Sequence, residues 1–118
     1  MTSRNLAIVF SRCSRTRLGY CIRFERISEM VWSATWTFAV KESIAKKEGY
    51  QSTPLVGRFE IAPVFPGCPH CKDGQFFRCG CGSLGCWDGN LNPVTCPTCN
   101  NTGHLSGEIT SLEGGSDL

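Results

Sequence analysis

The chain has 118 residues, 41% of them apolar, with 13 glycines, nine cysteines and a formal charge of +2. That composition excludes a disordered tail and leaves room for one domain or two very small ones, with a core that needs cross-links or metals to be stable. No stretch is long enough to cross a membrane, and eight thiolates holding two divalent ions would bring the formal charge to about −2, which removes net charge as an argument for nucleic-acid binding.

The first apolar run, residues 6–10, falls short of the roughly seven or more apolar residues an export signal needs. The expected compartment is the cytoplasm, where Cys-x-x-Cys pairs read as metal ligands or redox sites rather than as disulfides. Arg4, Arg12, Arg15, Arg17, Arg23 and Arg26 face only Glu25 and Glu29 in this early part of the chain, and read first as solvated charge. Residues 20–27, with Ile22 and Phe24 on one face, predict a strand, and the polar gap at Ser28-Glu29 suits a hairpin. Residues 31–40 alternate strictly, placing Trp32, Ala34, Trp36, Phe38 and Val40 on one side, the period of a half-buried strand.

Residues 41–48 favour helix, with Gly49 placed to end it in the left-handed conformation. Residues 55–61 alternate again and predict a third strand that stops near Pro63. A three-stranded antiparallel sheet with one covering helix would bury the face bearing Trp32, Trp36 and Phe38. Pro63, Pro66 and Gly67 mark the passage to the cysteine-rich part. The expected fold is a small, mostly β, α+β protein. Residues 1–63 form the antiparallel sheet with its short helix, 64–107 a zinc-ribbon-like metal-binding region, and 108–118 a flexible acidic tail, all forming one compact unit.

The cysteine-rich part carries two Cys-Pro-x-Cys knuckles, Cys68-Pro69-His70-Cys71 and Cys96-Pro97-Thr98-Cys99. Each puts two sulfurs on a tight turn, with proline restricting the turn and a residue tolerant of positive φ expected after it; Asn100 fits that place and Lys72 fits it less well. Zinc takes four ligands in a tetrahedron, and four thiolates from two knuckles can supply them. Predicted strands at 75–79 and 84–87 would form the hairpin that returns the second knuckle to the first. Cys79, Cys81 and Cys86 predict a second metal site, its fourth ligand being Cys13 or, alternatively, His104. Cys21 reads as a core residue, and His70 as an exposed spacer. A catalytic zinc site keeps an open coordination position, and a thioredoxin-like site needs its Cys-x-x-Cys before a helix in a parallel α/β pattern; neither pattern is present, and Asp73 and Asp88 read as turn residues beside glycines.

Three segments together, Phe65-Pro66-Gly67-Cys68-Pro69-His70-Cys71, Cys79-Gly80-Cys81-Gly82-Ser83-Leu84-Gly85-Cys86 and Thr95-Cys96-Pro97-Thr98-Cys99-Asn100-Asn101-Thr102-Gly103, resemble the TerY-C metal-binding domain family. Upstream, Tyr20 with Ile22-Arg23-Phe24-Glu25, Trp36-Thr37-Phe38 and Ala45-Lys46-Lys47-Glu48-Gly49-Tyr50 agree with it too. The resemblance implies a zinc-binding accessory domain in bacterial systems of tellurite resistance, stress or phage defence. Its implied ligands are Cys68, Cys71, Cys79, Cys81, Cys86, Cys96 and Cys99, with Cys13 as the eighth, making two zinc sites. The family usually follows a von Willebrand A-type domain and is encoded near a kinase and a phosphatase, so those are the partners it implies. Only Gly80 stands between the third and fourth cysteines here, where the family often has two residues.

The function expected is that of a non-enzymatic adaptor binding a protein partner. The rival is a nucleic-acid binder using the early arginines with Trp32, Trp36, Phe76, Phe77 and Trp87.

Overall fold

Strand follows strand along the chain, interrupted by one short helix, in the computed structural model, which describes residues 6–48, 53–105 and 111–116. The short run at residues 6–10 is the heart of it. As β1 (Leu6–Arg12) it is buried on both faces, Ala7 and Val9 entering the larger core and Ile8 and Phe10 a second one. A strand covered on both sides reads as a continuous apolar run without alternation, so its sequence lacks the period-2 signature. β1 pairs antiparallel with β2 (Gly19–Ser28), which turns at Glu29-Met30 into β3 (Val31–Ala39).

The alternation predicted for β3 breaks in its middle. Arg23 of β2 opposes Trp36 and Phe24 opposes Ala34, so Thr35 is an extra residue, a β-bulge. Beyond it the faces exchange. Trp32 and Ala34 point into the larger core, Thr37 takes the inward place after the bulge, and Trp36 is left 51% exposed. The single buried face expected for Trp32, Trp36 and Phe38 is thus split: Phe38 and Val40 pack instead on the second cluster, where α1 (Glu42–Lys47) places Ala45 against Ile8, Phe10 and Cys21. An Arg12–Glu42 ion pair ties the helix to β1. The terminating Gly49 lies outside the described residues.

The third predicted strand divides at Gly57 into β4 (Thr53–Val56) and β5 (Arg58–Ile61). β5 adds to β3 in parallel, while β4 pairs antiparallel with β10 (Ser111–Ser116), which in turn pairs with β1. One bent strand therefore carries both ends of the path β4-β10-β1-β2-β3-β5, and the sheet curls into a six-strand near-barrel. Two expectations are corrected. The sheet is not a simple antiparallel layer under a helix. Nor is the whole of 108–118 a loose tail: residues 111–116 form the strand that bridges β1 and β4, pairing with the backbone groups that the edges of those two strands present.

Gly57 makes the bend possible. Its φ is +142°, and a Cβ there would stand 2.4 Å from the Met30 carbonyl oxygen, which accepts a hydrogen bond from the Arg58 N–H at 2.7 Å. Gly57→Ala is expected to cost about 2–4 kcal/mol, from strained backbone and a clash with rigid main chain. Chemical denaturation of the metal-loaded protein checks this, and an unchanged midpoint would show that the bend tolerates a side chain.

The cysteine-rich part is built into this sheet. β6 (Gln75–Arg78) and β7 (Leu84–Trp87) form the predicted hairpin, and β7 joins β1 in parallel through Ser11 with Leu84 and Arg12 with Gly85. Phe76 of β6 meets Phe24 edge to face at 5.7 Å, beside the contact of Phe24 with Phe59 at 5.5 Å. Tyr20, Ile22, Phe24 and Trp32 belong to the same buried cluster as Cys13, Cys68 and Cys86. A second small ribbon, β8 (Val94–Thr95) with β9 (Thr102–Gly103), flanks the second knuckle.

Candidate metal centres

Both knuckles close in the same way. Lys72 and Asn100 have φ of 71° and 66°, and their N–H groups donate to the carbonyls of Cys68 and Cys96 at 2.8 and 2.9 Å. The N–H groups of Cys68 and Cys96 donate in turn to Asp73 O and Asn101 O. Lys72 therefore occupies the left-handed place despite its side chain. The loop after β1 repeats this construction: Arg17 has φ of 66°, its N–H donates to Cys13 O, and the Cys13 N–H donates to Leu18 O. It is a knuckle with Thr16 standing where the second cysteine would be. At Cys79-Gly80-Cys81 the same pattern is one residue shorter. Gly82, with φ of 96°, donates to Cys79 O and the Cys79 N–H donates to Ser83 O, so a single intervening residue suffices to turn both sulfurs the same way.

The β6–β7 hairpin decides which sulfurs meet. Cys79 and Cys81 sit at its turn, whereas Cys86 sits near its open end, where Phe76 opposes it. Strands of this length hold the two ends about 10 Å apart, too far for one metal. The eight cysteines accordingly gather in two interleaved fours, Cys13, Cys68, Cys71 and Cys86 in one and Cys79, Cys81, Cys96 and Cys99 in the other, with all sulfurs of a group within 4.8 Å of one another. The pairing of the two knuckles into a single site is corrected: each knuckle joins a different pair, because the hairpin between them sets them at its opposite ends. All eight predicted cysteines are used. Cys13, brought beside Cys86 by the β1–β7 pairing, stands in the place left open between it and His104. His104 instead lines a cleft beside Cys79 and Cys81.

The geometry suits a tetrahedral ion. Thiolates about 2.3 Å from such a metal stand about 3.8 Å from each other. The sulfur separations are 3.4 Å for Cys71–Cys86, 3.9 Å for Cys13–Cys86, 3.6 Å for Cys79–Cys99 and 3.8 Å for Cys81–Cys96. A disulfide would need about 2.05 Å, and all nine cysteines are free thiols. Two groups of four cysteines can thus each hold a metal ion.

Main-chain donors point at the sulfurs: Ser14 N–H at Cys86 Sγ (3.1 Å), Thr16 N–H at Cys13 Sγ (3.5 Å) and Thr98 N–H at Cys96 Sγ (3.4 Å). Burial raises the Cys13 thiol, but hydrogen bonds from Thr16 and Arg15 outweigh it and bring it down to about 6. Its neighbours resist ionisation, burial pushing Cys68 up to about 11 and Cys86 higher still. In the second group a hydrogen bond from the Ser83 backbone lowers Cys81 to about 7. The Cys81 backbone N–H favours the Cys79 thiolate, yet burial and the adjoining thiols take Cys79 up to about 12. Cys13 and Cys81 thus ionise more readily than Cys68, Cys86 and Cys79 beside them, and a bound cation would favour the thiolate at each.

The remaining polar residues divide by what they touch. Asp73, read as a turn residue, turns its carboxylate toward the first tetrad, Oδ2 lying 3.6 Å from Cys86 Sγ and Oδ1 3.5 Å from the Arg15 guanidinium. Arg15 is thereby a cation held beside the first tetrad through Asp73. Only the tertiary structure brings these two together. Asp88 is a turn residue as expected, its Oδ1 accepting from the Leu91 and Asn90 N–H groups, which hold its carboxyl below the usual range. His70 is no exposed spacer: it is half-buried, its Nε2 lies 2.9 Å from Gly19 O, and its ring meets Tyr20 edge to face. With Thr37 Oγ1 donating to Gly67 O at 2.7 Å, it fastens the first knuckle to the sheet. Cys21 is core, as expected, and burial pushes its thiol up to about 12.

Comparison of the chain with protein-family models, with curated proteins and with solved structures finds no match. The likeness to the TerY-C family rests on the residues that suggested it.

Proposed function

We propose that the chain is a zinc-binding module without catalytic activity, an adaptor whose surface holds a protein partner. The observation that carries the metal assignment is the pair of all-sulfur tetrads with tetrahedral edge lengths. Four thiolates favour zinc among the common cellular divalent ions and leave it no open position for a reacting water. A closed site of this kind serves folding, and what remains for function is the surface it shapes. The bacterial tellurite-resistance, stress or phage-defence setting follows from the family resemblance, as does the partner, a von Willebrand A-type protein or its associated kinase or phosphatase.

X-ray absorption at the zinc edge, with metal analysis, tests the reading. Two zinc ions per chain with four sulfurs each are expected. Nitrogen or oxygen in either shell would overturn the closed-site assignment and reopen metal-assisted hydrolysis.

One observation favours the nucleic-acid reading more than the alternation did. Trp36 is half exposed on β3 opposite Arg23, and a base could stack on such a pair. Against it stand the net charge of about −2 after metallation and the packing of Trp32 into the core beneath Arg26, 5.7 Å away. Titration with single-stranded DNA or RNA at low salt is expected to show no binding, and a salt-dependent complex would restore the rival.

A further inference from the structure

The two tetrads share a ligand set and the same knuckle turn, and Cys96 is buried like the cysteines of the first group, but the rest of the second tetrad is more open. Cys13, Cys68 and Cys86 are buried and Cys71 half-buried, and the sulfurs of Cys13 and Cys86 come from residues 73 apart in sequence. Three of these cysteines belong to the main hydrophobic core. Gly67, just before the first knuckle, is packed so closely that a Cβ there would meet Asp73 O at 2.7 Å. Opening this tetrad means separating β1 from β7 and lifting the first knuckle off β2 and β3.

The other tetrad is drawn from one continuous stretch, 79–99, and contributes no cysteine to that core. Cys81 is exposed, and among the described residues it is the one cysteine that is. Its turn is unpacked: a Cβ on Gly80 or on Gly82 would meet nothing within 4 Å. Clefts open beside Cys81 on two sides, one of about 340 Å³ bordered by Phe10, Glu42 and Thr98, the other of about 280 Å³ bordered by Arg78 and His104. Local openings of such turns cost far less than openings of a core.

We propose that the tetrad of Cys79, Cys81, Cys96 and Cys99 is an exchange site, passing a thiophilic divalent ion to and from thiol-bearing acceptors through Cys81, while the buried tetrad keeps its ion for the life of the fold. The inference rests on the zinc reading above. Cys81 leaves first: its sulfur–metal bond breaks as the sulfur of an incoming thiol takes its place, and the proton of that thiol passes to the Cys81 sulfur. No electrons are transferred, and repetition at the other three cysteines completes the transfer. The 340 Å³ cleft beside Cys81 leaves room for the thiol side chain of an acceptor to approach that sulfur.

The test mixes zinc-loaded full-length protein with an excess of a metal-free peptide bearing four cysteines, following zinc in each species together with far-UV circular dichroism. One equivalent is expected to transfer about tenfold or more faster than the second, with the sheet signal intact until the second departs. Cys81→Ser is expected to abolish the fast equivalent and keep the slow one. Alkylation of the wild-type protein with peptide mapping provides a measurement independent of any variant, and Cys79, Cys81, Cys96 and Cys99 should be modified before Cys13, Cys68 and Cys86. Transfer of both ions at one rate, loss of the sheet signal with the first ion, or earlier alkylation of the buried group overturns the exchange site. A chain that holds no zinc at all overturns the metal reading on which it rests.

Discussion

Removal of both ions with a strong chelator is expected to unfold the protein, sheet included. The sulfurs of the buried tetrad are part of the packed core with Tyr20, Phe24 and Trp32. Without a cation, ionised sulfurs there repel one another, and protonated ones leave polar, poorly packed contacts. Structural zinc contributes on the order of 10 kcal/mol in small domains, comparable to the roughly 5–15 kcal/mol of an entire fold. Since Cys13 follows directly on β1, and since Thr37 and Gly19 hold the first knuckle to β3 and β2, the loss spreads from the cysteine-rich part into the near-barrel. Far-UV dichroism and thermal melting before and after chelation measure it. An unchanged spectrum and melting curve after both ions have gone would refute a structural role for the metal.

Cys13→Ala is expected to have the largest effect of any single substitution in the metal centres. Cys13 is fully buried, 3.9 Å from Cys86 Sγ, and is the one ligand supplied by the N-terminal part of the chain. Its loss leaves three thiolates around a buried ion. Losing even an outer partner of a metal ligand costs roughly 10–100-fold in affinity, and losing the ligand itself exceeds that. The variant should carry one zinc per chain and melt well below the parent protein. His104→Ala, by contrast, should keep two zinc ions and the parent melting temperature, because His104 stands outside both tetrads. The opposite pair of results would make His104 the ligand and Cys13 a core residue.

How much of the fold is legible in the sequence depends on the distance over which each signal acts. The β2–β3 hairpin, the short helix and the β6–β7 hairpin are local, and residues 20–27, 41–48, 75–79 and 84–87 announce them closely. The exposure of Trp36 is hidden because an alternating pattern continues through a bulge without a mark, and Thr35 shows itself as the extra residue only once Arg23 and Phe24 are seen to oppose Trp36 and Ala34. β1 is hard to read since a strand buried on both faces has no alternation to display. β10 resembles a tail, its two glycines and Glu113 giving no sign that the edges of β1 and β4 wait for a partner. The bend at Gly57 does leave a signal, a glycine inside a strand pattern.

By itself the sequence determined the chemistry: seven cysteines in short turns and Cys86 in a strand, each turn aiming its sulfurs through hydrogen bonds among four or five neighbouring residues, and hence two groups of soft ligands able to hold a metal ion each. Only the tertiary structure decided which cysteines gather into one group. Membership depends on the β6–β7 hairpin setting the knuckles at opposite ends and on β1 lying against β7 so that Cys13 reaches Cys86, and such pairings between distant segments leave no trace in the spacing of either segment alone.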